Sequence, residues 1–247
     1  LPLAYTLAGT ALAAAGTLAL NQVLERDLDA RMERTRLRPL ASGRLPATAG
    51  LALGAGLAAC GLLVLALLVN PLCAAVTAAI PAAYLFLYTP LKRHSAFCTL
   101  WGGVPGALPP VVGWAAVRGS LDTEAGVLFA ILFLWQLPHA LAIASRYRED
   151  YARAGIRLLP TVEPGGASTR RQVVLNSLAL LAAGLTPTLV GMAGPAYFVA
   201  ALLLGLLFLG FGVAMALSGT PASARRLAVF SLVYLPLLFA AMALDRA

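Results

Sequence analysis

Long apolar segments alternate with short polar ones along the whole chain. Eight of the apolar segments are long enough to cross a bilayer, since a helical span needs roughly 20 mostly apolar residues. The eight predicted spans lie at about residues 1–24, 47–69, 72–88, 96–117, 125–145, 172–190, 196–217 and 227–244. The pattern predicts an all-α fold, a polytopic transmembrane helical bundle.

The polar segment at residues 21–44 is the most densely charged part of the chain. It holds four of the ten acidic residues and six of the eighteen Lys and Arg residues. Because it lies between two apolar spans, it must sit at a membrane surface or in a water-filled cavity that opens onto one. We therefore expect the bundle to enclose a central cavity that opens on the side of this segment.

Composition and charge place the protein in a lipid bilayer and argue against nucleic acid as a partner. Only 11% of the residues are charged, against about 25% in soluble domains. The net charge is +8, but sixteen of the eighteen basic residues lie in four loops that alternation of the spans puts on one side. Such an excess marks the cytoplasmic side of membrane proteins, so we expect the cavity to open to the cytoplasm.

Three polar side chains recur every four residues in the first charged segment. Asn21, Glu25 and Asp29 share one face of a helix, whereas Asp27 falls on the other side. An amide and two carboxylates in one stripe suit Mg²⁺, which takes carboxylates together with phosphates and waters. The alternative is an ordinary helix end whose acids pair with neighbouring arginines. Those arginines are Arg31, Arg34 and Arg36.

A second charged segment, at residues 146–171, is expected on the same membrane side. Glu149 and Asp150 are its adjacent acids. Its first four arginines are Arg146, Arg148, Arg153 and Arg157. Lys92 and Arg93 add two cations on that side, although a purely topological role would also explain them. Two facing acidic clusters among arginines indicate a polyphosphate that a cation bridges and arginines grip.

Two side chains in the fifth predicted span can carry function. His139 follows Pro138 within an apolar run, where an ionisable residue is a functional candidate by default. It could ligate a metal or contact a substrate, and it could equally be a packing residue bonded to a neighbouring carbonyl. Trp135 is typical of an interfacial aromatic residue, although an aromatic face also stabilises a cation.

Five blocks in chain order carry a resemblance to a known family. They are NQVLERDLDARMERTRLRPLASGRL at 21–45, YTPLKRHS at 88–95, GGVPGALPPVVGW at 102–114, FLWQLPH at 133–139 and EDYARAGIRLLP at 149–160. The blocks resemble the signatures of the UbiA-type membrane prenyltransferases, in particular the haem O synthase branch that farnesylates protohaem IX. Glu25 stands where the wider superfamily has Asp, and Cys98 and Ala140 depart from the branch pattern.

The resemblance implies transfer of a farnesyl group from farnesyl diphosphate to a vinyl group of haem B, giving haem O, with Mg²⁺ as cofactor. It implies catalytic roles for Asn21, Glu25, Asp29 and Asp150. The expected metal ligands are Glu25, Asp29, Glu149 and Asp150. The expected diphosphate contacts are Arg34, Arg38, Lys92, Arg93 and Arg148. For haem the resemblance implies His139 and Trp135.

The resemblance also sets expectations for the chain as a whole. Residues 1–247 would form a single domain that lacks the N-terminal arm and first helix of relatives with nine spans. We expect it in the bacterial inner membrane, with association with a haem A synthase or a terminal oxidase assembly. Three alternatives stay open: a prenyltransferase for a quinone or chlorophyll precursor, an organic-anion transporter, and an inactive fragment. The adjacent Glu149 and Asp150 favour haem over quinone acceptors.

Overall fold

The computed structural model describes residues 2–163 and 165–246, and within them it contains helices and turns but no strand. Ten helices follow one another in chain order. They are α1 (Pro2–Asp29), α2 (Ala47–Leu68), α3 (Pro71–Leu91), α4 (Cys98–Arg118), α5 (Thr123–Arg146), α6 (Arg148–Arg153), α7 (Leu159–Val162), α8 (Ala167–Leu189), α9 (Pro195–Ser218) and α10 (Pro221–Leu244).

Eight of these helices in the described residues are long and apolar enough to span a membrane, so the predicted count of spans is confirmed. Most predicted bounds were close, but α1 continues to Asp29 instead of ending near residue 24, and α8 and α10 begin at Ala167 and Pro221 instead of near residues 172 and 227. The charged stripe therefore belongs to the last turns of the first spanning helix. Leu1, where the first span was predicted to begin, lies outside the described residues.

The described chain divides into two compact units, which we describe separately. The first unit comprises residues 1–121 and 149–157. Its helices α1 and α2 pack through small residues, with Gly16 and Gly61 at the closest points. A Cβ atom on Gly16 would lie 2.4 Å from the backbone N of Ala58, and one on Gly61 would lie 2.5 Å from the backbone N of Ala13. Close helix contact of this kind is common in membranes.

Helices α3 and α4 of the first unit are both irregular. After Pro81, which has no N–H to donate, α3 widens into a π-helical segment at Ala82–Tyr88. Helix α4 is interrupted at Leu108, between Cys98–Ala107 and Pro109–Arg118, where Pro109 and Pro110 have no backbone N–H to donate. Gly102 makes room for α3, because a Cβ there would lie 2.6 Å from the Tyr88 ring.

The second unit comprises residues 122–148 and 158–247. Helices α5, α8, α9 and α10 surround a core whose largest fully buried side chains are Tyr197, Tyr234 and Phe208. Phe208 and Tyr234 meet edge to face, with ring centroids 5.0 Å apart. The Tyr197 hydroxyl donates to the Gly184 carbonyl at 2.7 Å, which ties α9 to α8.

Candidate active site

The polar stripe of Asn21, Glu25 and Asp29 is buried, with 6%, 7% and 5% of each residue exposed. The four-residue spacing puts all three on the face of α1 that packs into the first unit. Asp27 is exposed and pairs with the neighbouring Arg26, as its position on the other side of the helix predicted. A buried run of one amide and two carboxylates needs partners, because an unpaired buried charge is very costly.

Glu25 pairs with Lys92, a half-buried residue that directly follows α3. Lys92 Nζ lies 2.9 Å from Glu25 Oε1 and 3.2 Å from Oε2. Asn21 Nδ2 also donates to Glu25 Oε2, at 2.9 Å. The Thr89 hydroxyl donates to Asn21 Oδ1 at 3.0 Å. A connected set of hydrogen bonds therefore joins α1 to the end of α3 and satisfies the Glu25 carboxylate.

Two tyrosines of the π-helical segment enclose Lys92. Its Nζ lies 4.4 Å from the ring centre of Tyr88 and 5.5 Å from that of Tyr84, both within the range of cation–π attraction. The π segment ends with the Thr89 N–H bonded to the Tyr84 carbonyl, five residues back. This wider turn determines where both rings and the Thr89 hydroxyl lie relative to α1.

Asp29 forms an ion pair with Arg38, a residue of the loop that follows α1. Arg38 Nη1 lies 2.8 Å from Asp29 Oδ2, and the Thr35 hydroxyl donates to the Asp29 carbonyl at 3.0 Å. Loop residues 30–46 therefore fold back over the last turn of α1. The two carboxylates of the stripe therefore form ion pairs with Lys92 and Arg38.

Asp150 holds the α1–α2 loop rather than facing solvent. Its two carboxylate oxygens accept from the backbone N–H groups of Glu33, at 2.9 Å, and Arg34, at 3.3 Å, and one of them also pairs with Arg153. Burial alone would raise the pKa of this carboxyl. The three donors outweigh burial and hold the pKa of Asp150 below its usual range.

Further bonds tie the segment 149–157 to the other two loops of the first unit. The Arg34 guanidinium donates to the Tyr151 hydroxyl at 3.3 Å. The backbone N–H of Arg157 donates to the Lys92 carbonyl at 2.8 Å. The three charged loops that the sequence placed on one side therefore meet around the polar stripe.

Not every predicted site residue joins this cluster. Glu149 and Arg93 are exposed. Within residues 2–163 and 165–246, no three His, Cys, Asp or Glu side chains lie close enough to hold a metal ion together. A metal site that combined the stripe with Glu149 and Asp150 would require these acids to move, and Asp150 would have to exchange its present donors.

Three predicted site residues lie in the second unit. His139 Nδ1 is 2.6 Å from Ser231 Oγ, and its ring stacks on Trp135 with centroids 5.0 Å apart. Trp135 Nε1 donates to the Ser231 carbonyl at 2.8 Å, so both residues link α5 to α10. Ser231 Oγ donates to the Ala228 carbonyl at 2.6 Å. His139 Nδ1 must then be the donor to Ser231, which leaves Nε2 as the ring acceptor.

Arg148, the third of these residues, lines a small cavity of about 160 Å³ in the second unit together with Glu163 and Arg170.

Sequence reasoning did not single out several residues that complete the cluster. Thr89, Tyr84 and Tyr88 stand within or just before the YTPLKRHS block, and Pro81 upstream was the available signal for an irregular helix. Arg153 was noted only as a loop cation. No periodic pattern links residues this far apart in the chain, so their contacts with α1 could not be read from spacing.

The chain is similar to proteins of a known family. The profile of the UbiA prenyltransferase family matches residues 1–240. A protoheme IX farnesyltransferase from Solibacter usitatus (strain Ellin6076) is 52% identical over 246 residues, covering 100% of this chain and 84% of that protein. One from Koribacter versatilis (strain Ellin345) is 46% identical, covering 98% of this chain and 80% of its own length.

Solved structures support the same fold at low sequence identity. A digeranylgeranylglyceryl phosphate synthase is similar with a TM-score of 0.80 at 15% identity, covering 99% of this chain and 85% of that one. A UbiA homolog from Archaeoglobus fulgidus bound to DMAPP and Mg²⁺ is similar with a TM-score of 0.65 at 14% identity, covering 98% and 88%. The family profile across nearly the whole chain and the close relatives show that this integral membrane protein belongs to the UbiA prenyltransferase family.

Proposed function

We propose that the protein transfers the farnesyl group of farnesyl diphosphate to a vinyl group of haem B, producing haem O. The observation that carries this proposal is the identity of 52% and 46% with protoheme IX farnesyltransferases over almost the entire chain. In this reaction the allylic C–O bond breaks and diphosphate leaves. The vinyl group attacks the allylic carbon, and water adds to the resulting cation and releases a proton.

The polar stripe is the proposed diphosphate and Mg²⁺ site. Asn21, Glu25 and Asp29 offer amide and carboxylate oxygens, the ligand type that Mg²⁺ takes, and cationic side chains already lie against both carboxylates. The donor set therefore fits the ion. Mg²⁺ bound there would stabilise negative charge on the departing diphosphate. Participation of Glu149 and Asp150 as further ligands stays a prediction.

Lys92 and Arg38 are the proposed partners of the leaving group within the first unit. Each side chain now neutralises one carboxylate of the stripe. A rotation of either side chain would bring its positive charge to the diphosphate oxygens. Positive charge held there lowers the activation barrier for departure of the diphosphate. Arg34, Arg93 and Arg148 stay predicted contacts of the same group. Asp150 would hold the loop that carries Arg34 and Arg38.

His139 and Trp135 are proposed to contact the haem acceptor. The bond from His139 Nδ1 to Ser231 supports this role, because it leaves the Nε2 lone pair available to an iron or a donor group. Spectroscopy of the haem complex tests it: His139→Ala should change the Soret band of bound haem B, and an unchanged band would remove His139 from the haem site.

The cellular setting is proposed from the charge distribution. We propose a bacterial inner membrane location with the loop at 30–46 in the cytoplasm, supported by the sixteen basic residues in four loops. In intact cells an impermeant maleimide should then label Leu121→Cys but not Ser42→Cys. Labelling of Ser42→Cys but not Leu121→Cys would show the opposite orientation in the membrane. A single domain over residues 1–247, and association with a haem A synthase or terminal oxidase assembly, stay predictions.

Replacement of Asp29 tests the assignment of the stripe. Asp29→Asn removes one negative charge from the proposed metal site and takes the carboxylate from Arg38. We expect loss of at least about 100-fold in Mg²⁺-dependent diphosphate release from farnesyl diphosphate in the presence of haem B. Asp27→Asn, on the exposed side of the same helix, is the matched control and should retain activity. Full activity of Asp29→Asn would refute the stripe as the metal site.

A further inference from the structure

A groove between α9 and α10, in the second unit, lies apart from the residues discussed above. Phe211, Ala222, Arg225, Arg226, Val229, Phe230 and Val233 line it, and its volume is about 610 Å³. A smaller hollow of about 310 Å³ adjoins it and shares Phe211, Ala222 and Arg226. We call the two together the α9–α10 groove.

The lining of the α9–α10 groove changes from polar to apolar along α10. Ala222, Arg226, Val229 and Val233 follow each other at intervals of three or four residues, which places them in one stripe of the helix. Residues 226 and 233 are about 10 Å apart along the axis at 1.5 Å per residue. Cationic side chains therefore stand at the helix start, and an apolar track runs from them toward its middle.

The apolar part of the groove is accessible in a segment that spans the membrane. Val229 is 53% and Val233 48% exposed, and α10 is one of the membrane-spanning helices. The floor is formed by Phe211 and Phe230, whose ring centroids are 4.7 Å apart. Within a bilayer, acyl chains are what contacts such a surface.

The polar end of the groove carries two adjacent positive charges. Arg225 and Arg226 are exposed, and neither has a hydrogen-bond or ion-pair partner among the described residues. Both lie in the second turn of α10, next to each other in the sequence. Ser218, Thr220 and Ser223 make the neighbouring wall polar.

We propose that the α9–α10 groove binds an anionic phospholipid. The two guanidinium groups would hold the phosphate oxygens, which they match in geometry and charge, and one acyl chain would lie along Val229, Phe230 and Val233. Paired arginines favour a head group with a net negative charge over a zwitterionic one, since the latter brings its own cation. Basic pockets at the ends of spanning helices bind anionic lipids in this way.

Lipid retention by the full-length purified protein tests this site. The probes are phosphatidylglycerol and phosphatidylcholine with identical acyl chains, titrated into the detergent-solubilised protein and counted as bound lipid by native mass spectrometry. We expect saturable binding of phosphatidylglycerol, and the double variant Arg225→Ala/Arg226→Ala should weaken it roughly 10- to 30-fold. The matched control Arg31→Ala/Arg171→Ala removes the same charge outside the groove and should leave binding unchanged.

A second variant separates the acyl track from the charges. Val229→Trp fills the groove while both arginines remain, and it should also weaken phosphatidylglycerol binding. Equal binding of the two lipids, or equal binding by the wild type and the double variant, would refute the proposal. Soluble glycerol 3-phosphate should not displace the lipid, and displacement at similar concentrations would show a phosphate site instead. Each variant must elute as the wild type does in size-exclusion chromatography.

Discussion

Buried charges in the first unit are each balanced by a specific partner. Glu25 lies against Lys92, Asp29 against Arg38, and Asp150 against two backbone amides and Arg153. A buried ion pair adds little net stability, whereas removing one partner costs about 3–5 kcal/mol because the other charge is left unpaired. The Glu25–Lys92 and Asp29–Arg38 pairs therefore add little net stability, and their side chains are good candidates for residues that change partners when a charged ligand binds.

Replacement of Lys92 tests that exchange. Lys92→Met should lower the kcat/KM of diphosphate release at least about 100-fold, because the variant loses a cation at the leaving group and leaves Glu25 unpaired. Arg36→Met removes an exposed charge from the α1–α2 loop and should change the kcat/KM of diphosphate release less than about two-fold. Steady-state kinetics measure both, and equal losses in the two variants would contradict the role of Lys92.

The lowered pKa of Asp150 predicts how stability depends on pH. The Asp150 carboxylate contributes fully to the free energy of unfolding above about pH 4, which is the pKa of an Asp in the unfolded chain. This contribution is lost as the pH falls through the lower pKa that Asp150 has in the folded protein. Asp150→Asn should lower the Tm at pH 7 by roughly 2–6 °C, and the difference from the wild type should shrink below pH 4.

Thermal unfolding in detergent measures this difference, with the exposed neighbour Glu149→Gln as the control. A difference between Asp150→Asn and the wild type that stays constant from pH 7 to pH 3 would contradict a charged Asp150 as the anchor of the loop.

Sequence spacing predicted which side chains share a face but not what they touch. The interval of four residues was enough to group Asn21, Glu25 and Asp29 and to exclude Asp27. The contact from Lys92 to Glu25 joins residues 67 positions apart, and that from Glu33 to Asp150 joins residues 117 apart. Such contacts depend on how helices pack, which local periodicity does not encode.

At the scale of elements, small residues determine how closely α1 and α2 approach. Three glycines, Gly50, Gly54 and Gly56, lie close together in the N-terminal half of α2. A Cβ on Gly50 would meet Leu40 at 2.9 Å and one on Gly54 would meet Leu20 at 2.9 Å, but one on Gly56 would meet no atom within 4 Å. Gly56 therefore does not set the distance between the helices. Gly61 takes that role instead.

A pair of matched substitutions in α2 tests the packing. Gly61→Ala would bring its Cβ to 2.5 Å from the backbone of α1, so the helices must separate, at a cost of about 1–3 kcal/mol. Gly56→Ala has open space and should be neutral or stabilising by up to about 1 kcal/mol. The Tm should therefore fall for Gly61→Ala and stay level or rise for Gly56→Ala. Equal effects would contradict the packing of α1 on α2.

Helix existence was easier to predict than helix detail. Span-length apolar runs are a strong signal, and all eight spans appear. The continuation of α1 to Asp29 was harder to place, since no breaker separates the apolar run from the charged turns. The π-helical segment in α3 depends on Pro81 and on the packing of Tyr84 and Tyr88, and nothing in the apolar pattern marks it.

For the whole molecule, the proposed function is supported by the charge distribution and by membership of the UbiA prenyltransferase family. Three charged loops that are distant in sequence meet within the first unit, as the one-sided charge count predicted. Within the second unit, His139 and Trp135 are held together through Ser231. None of these contacts identifies the prenyl acceptor, because the proposed diphosphate site would serve any acceptor equally well.

Mass spectrometry of the acceptor distinguishes farnesylation of haem B from farnesylation of a quinone precursor. Purified protein is incubated with Mg²⁺ and farnesyl diphosphate, and haem B competes with an aromatic quinone precursor at equal concentration. We predict that the porphyrin gains the mass of one farnesyl group plus one hydroxyl group, that this product requires Mg²⁺, and that Asp29→Asn does not form it. Farnesylation of the quinone precursor with no change in haem B would contradict the proposed function.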